Sequence, residues 1–324
     1  MYLLVSLSLP LFLELQKFSF LFTMELTSIS TLSSSSVGHG FQDPNARLAN
    51  ELIPRPFTTG AGLYNVLTHR RRVLERNEPG EQFLAFTSVP PKMNRPSSDY
   101  RFESHKSTRF FYNTQQRLLI VKLSPGQAHE FATRAFDFSV NSKLLSMGID
   151  FDVVVPCGST TVTIGNWTME ANSSWEPASR DVKISFVFDV GLSESDSHLF
   201  LVTRGWLETP NTTAKLAVTL SIDRQRPKIV FRKWELEPRR AMPTRAYSPS
   251  AFVSAELTLS LYNNQTVVTG NSYIANTTTP ISQLELPFEK IVGRAPDRLR
   301  ENDLVITEED LKRIAEGIWR DQGF

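Results

Sequence analysis

The densest set of groups able to do chemistry is a run of cations. Arg224, Arg226, Lys228, Arg232, Lys233, Arg239, Arg240 and Arg245 fall within residues 224–245, with Phe231, Trp234 and Tyr247 interleaved. Cations neutralise phosphates and flat rings stack on unpaired bases, so together they suit a sequence-tolerant surface for single-stranded nucleic acid. On an extended strand Lys228, Val230 and Arg232 share one face and present a cationic row. The same residues also fit a basic edge strand that resists aggregation, with Trp234 in the core. Arg70, Arg71 and Arg72 form a second, shorter basic run.

Catalytic chemistry has far less to work with. The five histidines, His39, His69, His105, His129 and His198, are scattered, with no His-x-x-x-His pair. The single cysteine, Cys157, excludes an internal disulfide and any zinc site built on several thiolates. It follows an apolar stretch, where a lone cysteine behaves as a small hydrophobe. No phosphate-cradling GxxxxGK[ST], no GxGxxG after a strand and no Gly-x-Ser-x-Gly elbow occurs. Asp150 and Asp152 bracket Phe151 and read as solvated acids at a strand start. The sequence therefore points to a protein that is not an enzyme, with no cofactor and no metal.

The chain has 324 residues, is 40% hydrophobic and 21% charged, and carries a formal net charge of +1. That composition is globular and excludes wholesale disorder. The near-neutral total hides a segregation. Residues 45–125 carry 13 Lys/Arg against 6 Asp/Glu, residues 126–200 carry 4 against 10, and residues 201–245 carry 10 against 4. Blocks of opposite sign make local electrostatic faces, whether they pair with each other or recruit a polyanion.

Residues 1–23 are apolar but broken by Pro10, Glu14 and Lys17, and lack a basic start. They read as a hydrophobic leader or as translated upstream sequence, with Met24 as the natural start. Five Asn-x-Ser/Thr sequons, at Asn166, Asn172, Asn211, Asn264 and Asn276, would matter only in a secreted chain. Residues 24–107 read as a flexible Ser-, Pro- and Arg-containing region interrupted by a helix at Leu63–Asn77. Residues 108–292 read as an all-β domain. Its candidate strands are 109–112, 118–123, 136–140, 149–155, 160–169, 182–190, 198–206, 216–223, 228–235, 255–263 and 282–286, with a helix-like stretch at Phe131–Leu145. Short β-rich runs separated by turn residues argue for a jelly-roll-like antiparallel β-sandwich with an irregular N-terminal extension.

Residues 293–324 form a charged tail with a short C-terminal helix. Thr307 caps it, Glu308, Glu309 and Asp310 favour its first turn, and Leu311, Ile314, Ala315, Ile318 and Trp319 make one apolar stripe. Gly317 weakens it by about 1 kcal/mol relative to Ala. The stripe fits packing on its own domain, or self-association and docking on a partner.

Three stretches of residues 140–295 give a resemblance. Ile149–Pro156 followed by Thr160–Asn166, then Val182–Asp189, then Leu284-Glu285-Leu286-Pro287-Phe288 with Lys290 resemble the 30K superfamily of plant-virus movement proteins. Asn166 and Thr168 stand where the family pattern has an Asp and an Arg, and the interval from Phe188 to Leu284 is longer than in the family. The resemblance implies a jelly roll with terminal extensions that binds single-stranded nucleic acid, RNA above all, and carries a viral genome between cells. It implies a location at plasmodesmata and the cell periphery of a host, with cell-wall or membrane-associated host proteins as partners. A jelly-roll coat protein that packages RNA and a secreted host β-sandwich binding protein are the alternatives.

Overall fold

The computed structural model describes residues 43–76, 78, 80–91, 108–124, 126–178, 182–192, 196–237, 250–274 and 277–324. The expectations for residues 1–23, and most of those for the Ser-rich lead, lie outside them. The first described element is α1 (Pro44–Glu51), capped by Asp43, whose side chain accepts from the Asn45 and Ala46 N–H groups. It replaces part of the expected irregular extension. A short strand β1 (Arg55–Pro56) and helix α2 (Gly60–Glu75) follow, the helix capped by Thr59. The expected helix at Leu63–Asn77 is thus present, beginning three residues earlier.

Strands β2 (Phe83–Thr87), β3 (Thr108–Asn113), β4 (Leu118–Leu123), β6 (Thr161–Ile164) and β7 (Trp167–Glu170) join β1 in a six-stranded sheet ordered β1-β2-β4-β3-β7-β6. This sheet includes β2, so it crosses the boundary expected at residue 108. A second sheet of eight strands is ordered β14-β13-β12-β11-β10-β9-β8-β5. Its members are β5 (Val154–Pro156), β8 (Ser173–Pro177), β9 (Phe186–Leu192), β10 (Leu216–Ile222), β11 (Lys228–Leu236), β12 (Ala251–Tyr262), β13 (Gln265–Ile274) and β14 (Thr277–Pro280). Helices α3 (Gln127–Ser146) and α4 (Asp196–Glu208) lie between strands in sequence. The chain ends with β15 (Leu284–Leu286), α5 (Phe288–Val292), β16 (Leu304–Ile306) and α6 (Glu308–Gln322).

The sheet-rich middle is present, but it is not all-β. Phe131–Leu145 forms a helix, as its helix-like pattern suggested, and Phe136–Val140 is therefore not a strand. His198–Trp206, expected as a strand, lies wholly inside α4. Its residues are buried almost without alternation because a helix wedged against two sheets buries most of its circumference. Leu199, Leu201, Val202, Trp206 and Leu207 are all buried. α4 is the crossover of a β9–α4–β10 unit whose two strands run parallel. Parallel neighbours need such a crossover, which an antiparallel jelly roll does not contain. β1 and β2 also pair in parallel.

Three apolar clusters explain the layering. α2 places Leu63, Leu67 and Leu74 against Leu84, Phe86, Tyr112, Leu119 and Val121 of the six-stranded sheet. The other face of that sheet, with Phe111, Ile120 and Met169, packs with Leu48 of α1, Val202 and Trp206 of α4, and Val187 and Ala217 of the eight-stranded sheet. The far face of the eight-stranded sheet packs with α3 and α6 through Phe136, Val140, Phe186, Phe188, Val218, Leu220, Phe231, Ile314 and Ile318. β4 and β9 are therefore buried on both faces, which is why they read as apolar runs. Ile184, just before β9, packs on the Val187 side, away from Phe186 and Phe188.

α6 carries the expected cap, with Thr307 and Asp310 bonded reciprocally, and Gly323 ends it in a left-handed conformation. Gly317 has a packing reason, since a Cβ there would collide with the Phe131 ring on α3. Among the described residues no helix is long and apolar enough to cross a membrane. The α6 stripe packs on its own domain, with Ile314 only 2% exposed. Ile314→Asp is expected to cost about 4 kcal/mol, because it removes a packed aliphatic group and buries a charge. Thermal denaturation followed by circular dichroism will show a large fall in melting temperature, and an unchanged curve would place the stripe outside the core.

Candidate functional site

The basic stretch begins in the turn between β10 and β11. Arg224 is half-buried there, and Arg226 is exposed and bonded to Asp223 at 2.9 Å. From Lys228 to Lys233 the cross-strand register of β11 with β12 is regular, and it shifts between Lys233 and Trp234. Lys228 lies opposite Ser260 and Ser260 opposite Val267; Val230 lies opposite Thr258 and Thr258 opposite Thr269; Arg232 lies opposite Glu256 and Glu256 opposite Asn271. Lys228, Val230 and Arg232 do share one face, as the alternation requires. The opposite face holds Ile229, Phe231, Leu257 and Leu259, all fully buried.

The row is only partly cationic in effect. Arg232 is held between Asp196 at 3.0 Å and Glu256 at 2.6 Å. Burial alone would lower its pKa, but the two carboxylates outweigh that and keep the guanidinium firmly charged. Lys233 points the other way and donates to the Glu285 carbonyl at 3.0 Å. It is buried and does not belong to the row. Arg239, Arg240, Arg245 and Tyr247 lie outside the described residues.

Of the rings expected to stack on bases, Phe231 and Trp234 are not available. Phe231 is fully buried, and Trp234 sits under Phe200 of α4 while its indole N–H donates to Thr219. Sequence reasoning missed the rings that do share the open face. Tyr262 at the end of β12 is 69% exposed and lies opposite Gln265. Tyr273 on β13 is half-buried beside Glu256, Arg232 and Asn271, and burial is the first cause raising its pKa. The signal was there in principle: Tyr262 keeps the even-numbered alternation of Glu256, Thr258 and Ser260 up to the Asn263-Asn264 turn. That turn uses positive φ at both residues, which suits a tight hairpin.

A second constellation was not foreseen at all. β4 presents Leu119, Val121 and Leu123 to α2, so Lys122 faces the eight-stranded sheet. β9 presents Phe186, Phe188 and Val190 to α3, so Asp189 faces the six-stranded sheet. The two charges meet at 3.4 Å with 0% and 2% of their side chains exposed. Lys122 also donates to Asn172 Oδ1 at 3.0 Å, and the Val190 N–H donates to the same oxygen at 2.9 Å. The Asn172 N–H donates to Asp189 Oδ1 at 3.2 Å. The Asn172 amide nitrogen in turn faces His129 Nε2 of α3 at 3.0 Å.

Around this core, Arg109 of β3 donates to the Ala171 carbonyl at 2.9 Å, and Glu170 accepts from the Phe110 N–H and from Thr161. Burial lowers the pKa of Lys122, and Asp189 works against that. Burial raises the pKa of Glu170 and pushes that of Asp137, on α3, up to about 6. Asn172 is one of the five sequons, and at 3% exposure with all these bonds it cannot carry a glycan in the fold.

The remaining candidates are structural. Asp150 and Asp152 are exposed in the turn before β5, where the Asp152 N–H donates to Asp150 at 3.1 Å. Burial and the neighbouring Glu176 push the Cys157 thiol up to about 11, so it is a poor nucleophile. Arg71 of the second basic run is half-buried and donates to Thr108 at 2.8 Å, while Arg72 is exposed. Among the described residues no group of three or more His, Cys, Asp or Glu is placed to hold a metal ion.

A buried ion pair fails badly when one partner is removed. Lys122→Met and Asp189→Leu are each expected to cost about 3–5 kcal/mol, because each strands the other charge without water. The double variant is expected to cost clearly less than the two single losses combined. Urea unfolding of the three variants measures this, and simple additivity would mean the pair is not coupled.

No family model matches the chain. No curated protein matches it either. Among solved structures, it is similar to a crystal structure from Anabaena variabilis ATCC 29413 described as a "putative nuclease belonging to DUF820". The identity is 14% over 44% of this chain and 76% of that one, with a TM-score of 0.29. At that score the likeness bears on neither the fold nor the activity of this chain.

Proposed function

We propose that this chain is a non-enzymatic binder of polyanions, with single-stranded nucleic acid as its ligand, and that the open face of β11–β13 is the surface it uses. The observation that carries the proposal is the shared face of Lys228, Arg232, Tyr262 and Tyr273, set among Ser260, Thr258, Thr269 and Asn271 by the β11–β12–β13 register. A sheet face with hydroxyls, rings and a cation offers an extended strand both backbone and base contacts. The segment joining β11 to β12 adds Arg239, Arg240 and Arg245 to the same part of the sequence. Arg232 contributes less than its charge suggests, since Asp196 and Glu256 already answer it.

Transport of a genome between cells and packaging of RNA would both need such a face, so the proposal commits to the binding step they share. The buried groups support a reading without bond-breaking. Lys122, His129, Asn172 and Asp189 are each at least nine-tenths buried and bond mainly to one another and to the backbone, with His129 Nδ1 and Asp189 Oδ2 left over.

Fluorescence anisotropy with a labelled oligouridylate tests this. Lys228→Glu combined with Tyr262→Ala is expected to weaken binding at least tenfold. Loss of one phosphate contact should also flatten the dependence of log K on log salt by about 0.7. Replacing Arg239, Arg240 and Arg245 together by Ala reports the share of the adjoining segment. Unchanged affinity and slope in the Lys228/Tyr262 variant would remove the sheet face from consideration.

A further inference from the structure

We propose that the cluster of His129, Asn172, Lys122 and Asp189 is an acid-operated latch between α3 and the two sheets, in which one proton on His129 undoes the bonds made by the Asn172 amide. The orientation of that amide is set by two donors. The Lys122 ammonium at 3.0 Å and the Val190 N–H at 2.9 Å both require Oδ1 on their side. Nδ2 must then face His129, at 3.0 Å from Nε2. An amide nitrogen can only donate, so Nε2 accepts and the ring proton sits on Nδ1.

Protonating Nε2 would set one N–H against another. Turning the amide over would cure that contact but would aim its NH₂ group at Lys122 and the Val190 N–H. No orientation of Asn172 satisfies His129, Lys122 and Val190 once the ring is charged.

The surroundings make that proton costly. From β4 Lys122 faces the ring, and from β3 Arg109 adds a second cation. Asp189 on β9 shares its Oδ1 between Lys122 and the Asn172 N–H, while its Oδ2 is buried without a hydrogen-bond partner. On α3 itself Glu130 Oε1 lies 4.0 Å from His129 Nδ1, and both atoms are buried without a hydrogen-bond partner. Arg134 and Glu170 lie further out, around Arg109. Burial first, then Lys122 and Arg109, hold the imidazole pKa well below its usual value. The unfolded chain takes up the proton near pH 6.5 while the folded chain refuses it, so stability is held above that pH and lost as pH falls. Asp137 and Glu170 act in the opposite sense, because the fold raises their pKa values and they gain protons while folded.

The test is urea unfolding of the full chain between pH 7.5 and 5 for wild type and His129→Gln. Both retain Asp137 and Glu170, so their difference isolates the ring. The wild-type folding constant is expected to fall, relative to the variant, by up to tenfold per pH unit below about 6.5. Parallel pH dependence of the two proteins would overturn the latch. A measurement on wild type alone covers the case where the variant does not fold. Ring ¹⁵N spectra should show His129 neutral with its proton on Nδ1 at pH 7, and the protection of the Val190 amide, measured against its intrinsic exchange rate at each pH, should fall as acid is added. A His129 ring that titrates near 6.5 in the folded protein, with the Val190 amide still protected, would overturn the proposal as well.

Discussion

A lysine ammonium taken out of water has to be answered, and in this protein that requirement ties the layers together. Lys122 projects from the inner face of one sheet, Asp189 from the facing side of the other, and Asn172 and His129 complete the shell around them. The apolar packing on either side would tolerate some sliding of sheet on sheet, since dispersion and burial are not directional. An ion pair with both side chains at or below 2% exposure tolerates almost none. The six-stranded sheet, α3 and β9 are thereby fixed in one arrangement, and the open part of the eight-stranded sheet, β11 to β13, lies beyond β10 from that anchored strand.

The division between covered and open sheet follows from where the helices fall. α4 crosses over β9 and β10 and reaches β11 at Trp234 through Phe200. Beyond it the outward side chains of β12 and β13 are mostly Thr, Ser, Asn, Gln and Tyr, with Glu256 beside Arg232 and Val267 partly open to solvent. The same strands bury Leu257 and Leu259 on their other side. A single hairpin therefore serves as core wall and as exposed surface, which is the ordinary consequence of a two-residue period in an antiparallel pair.

Much of the fold was legible because its signals are local. Leu118–Leu123 is a strand with the bounds its composition gave, and α2 and α6 follow their apolar spacing and caps. Misreadings came where burial on all sides erased periodicity. α4 looks like a strand because Leu199–Val202 is an unbroken apolar run, and Phe136 sits in a helix that an all-β reading had to divide. The chemistry was less legible than the fold. The cationic row at Lys228, Val230 and Arg232 could be read from alternation, but its neutralisation by Asp196 and Glu256 depends on residues 36 and 24 positions away. The Lys122 cluster joins groups separated by up to 67 positions, and no spacing rule connects them. Lys122 alone, a lysine inside Leu118–Leu123, was the visible anomaly.

The place of α6 in the core has a consequence for how the molecule is made. Leu311, Ile314, Ile318 and Trp319 close the cluster begun by Phe136 and Val140, and α6 is the last helix of the chain. During synthesis α3 and β9 leave the ribosome long before the residues that cover them. The nascent polypeptide must hold an apolar wall open until residues 308–322 have been made, and this fifteen-residue helix then acts as the closing piece.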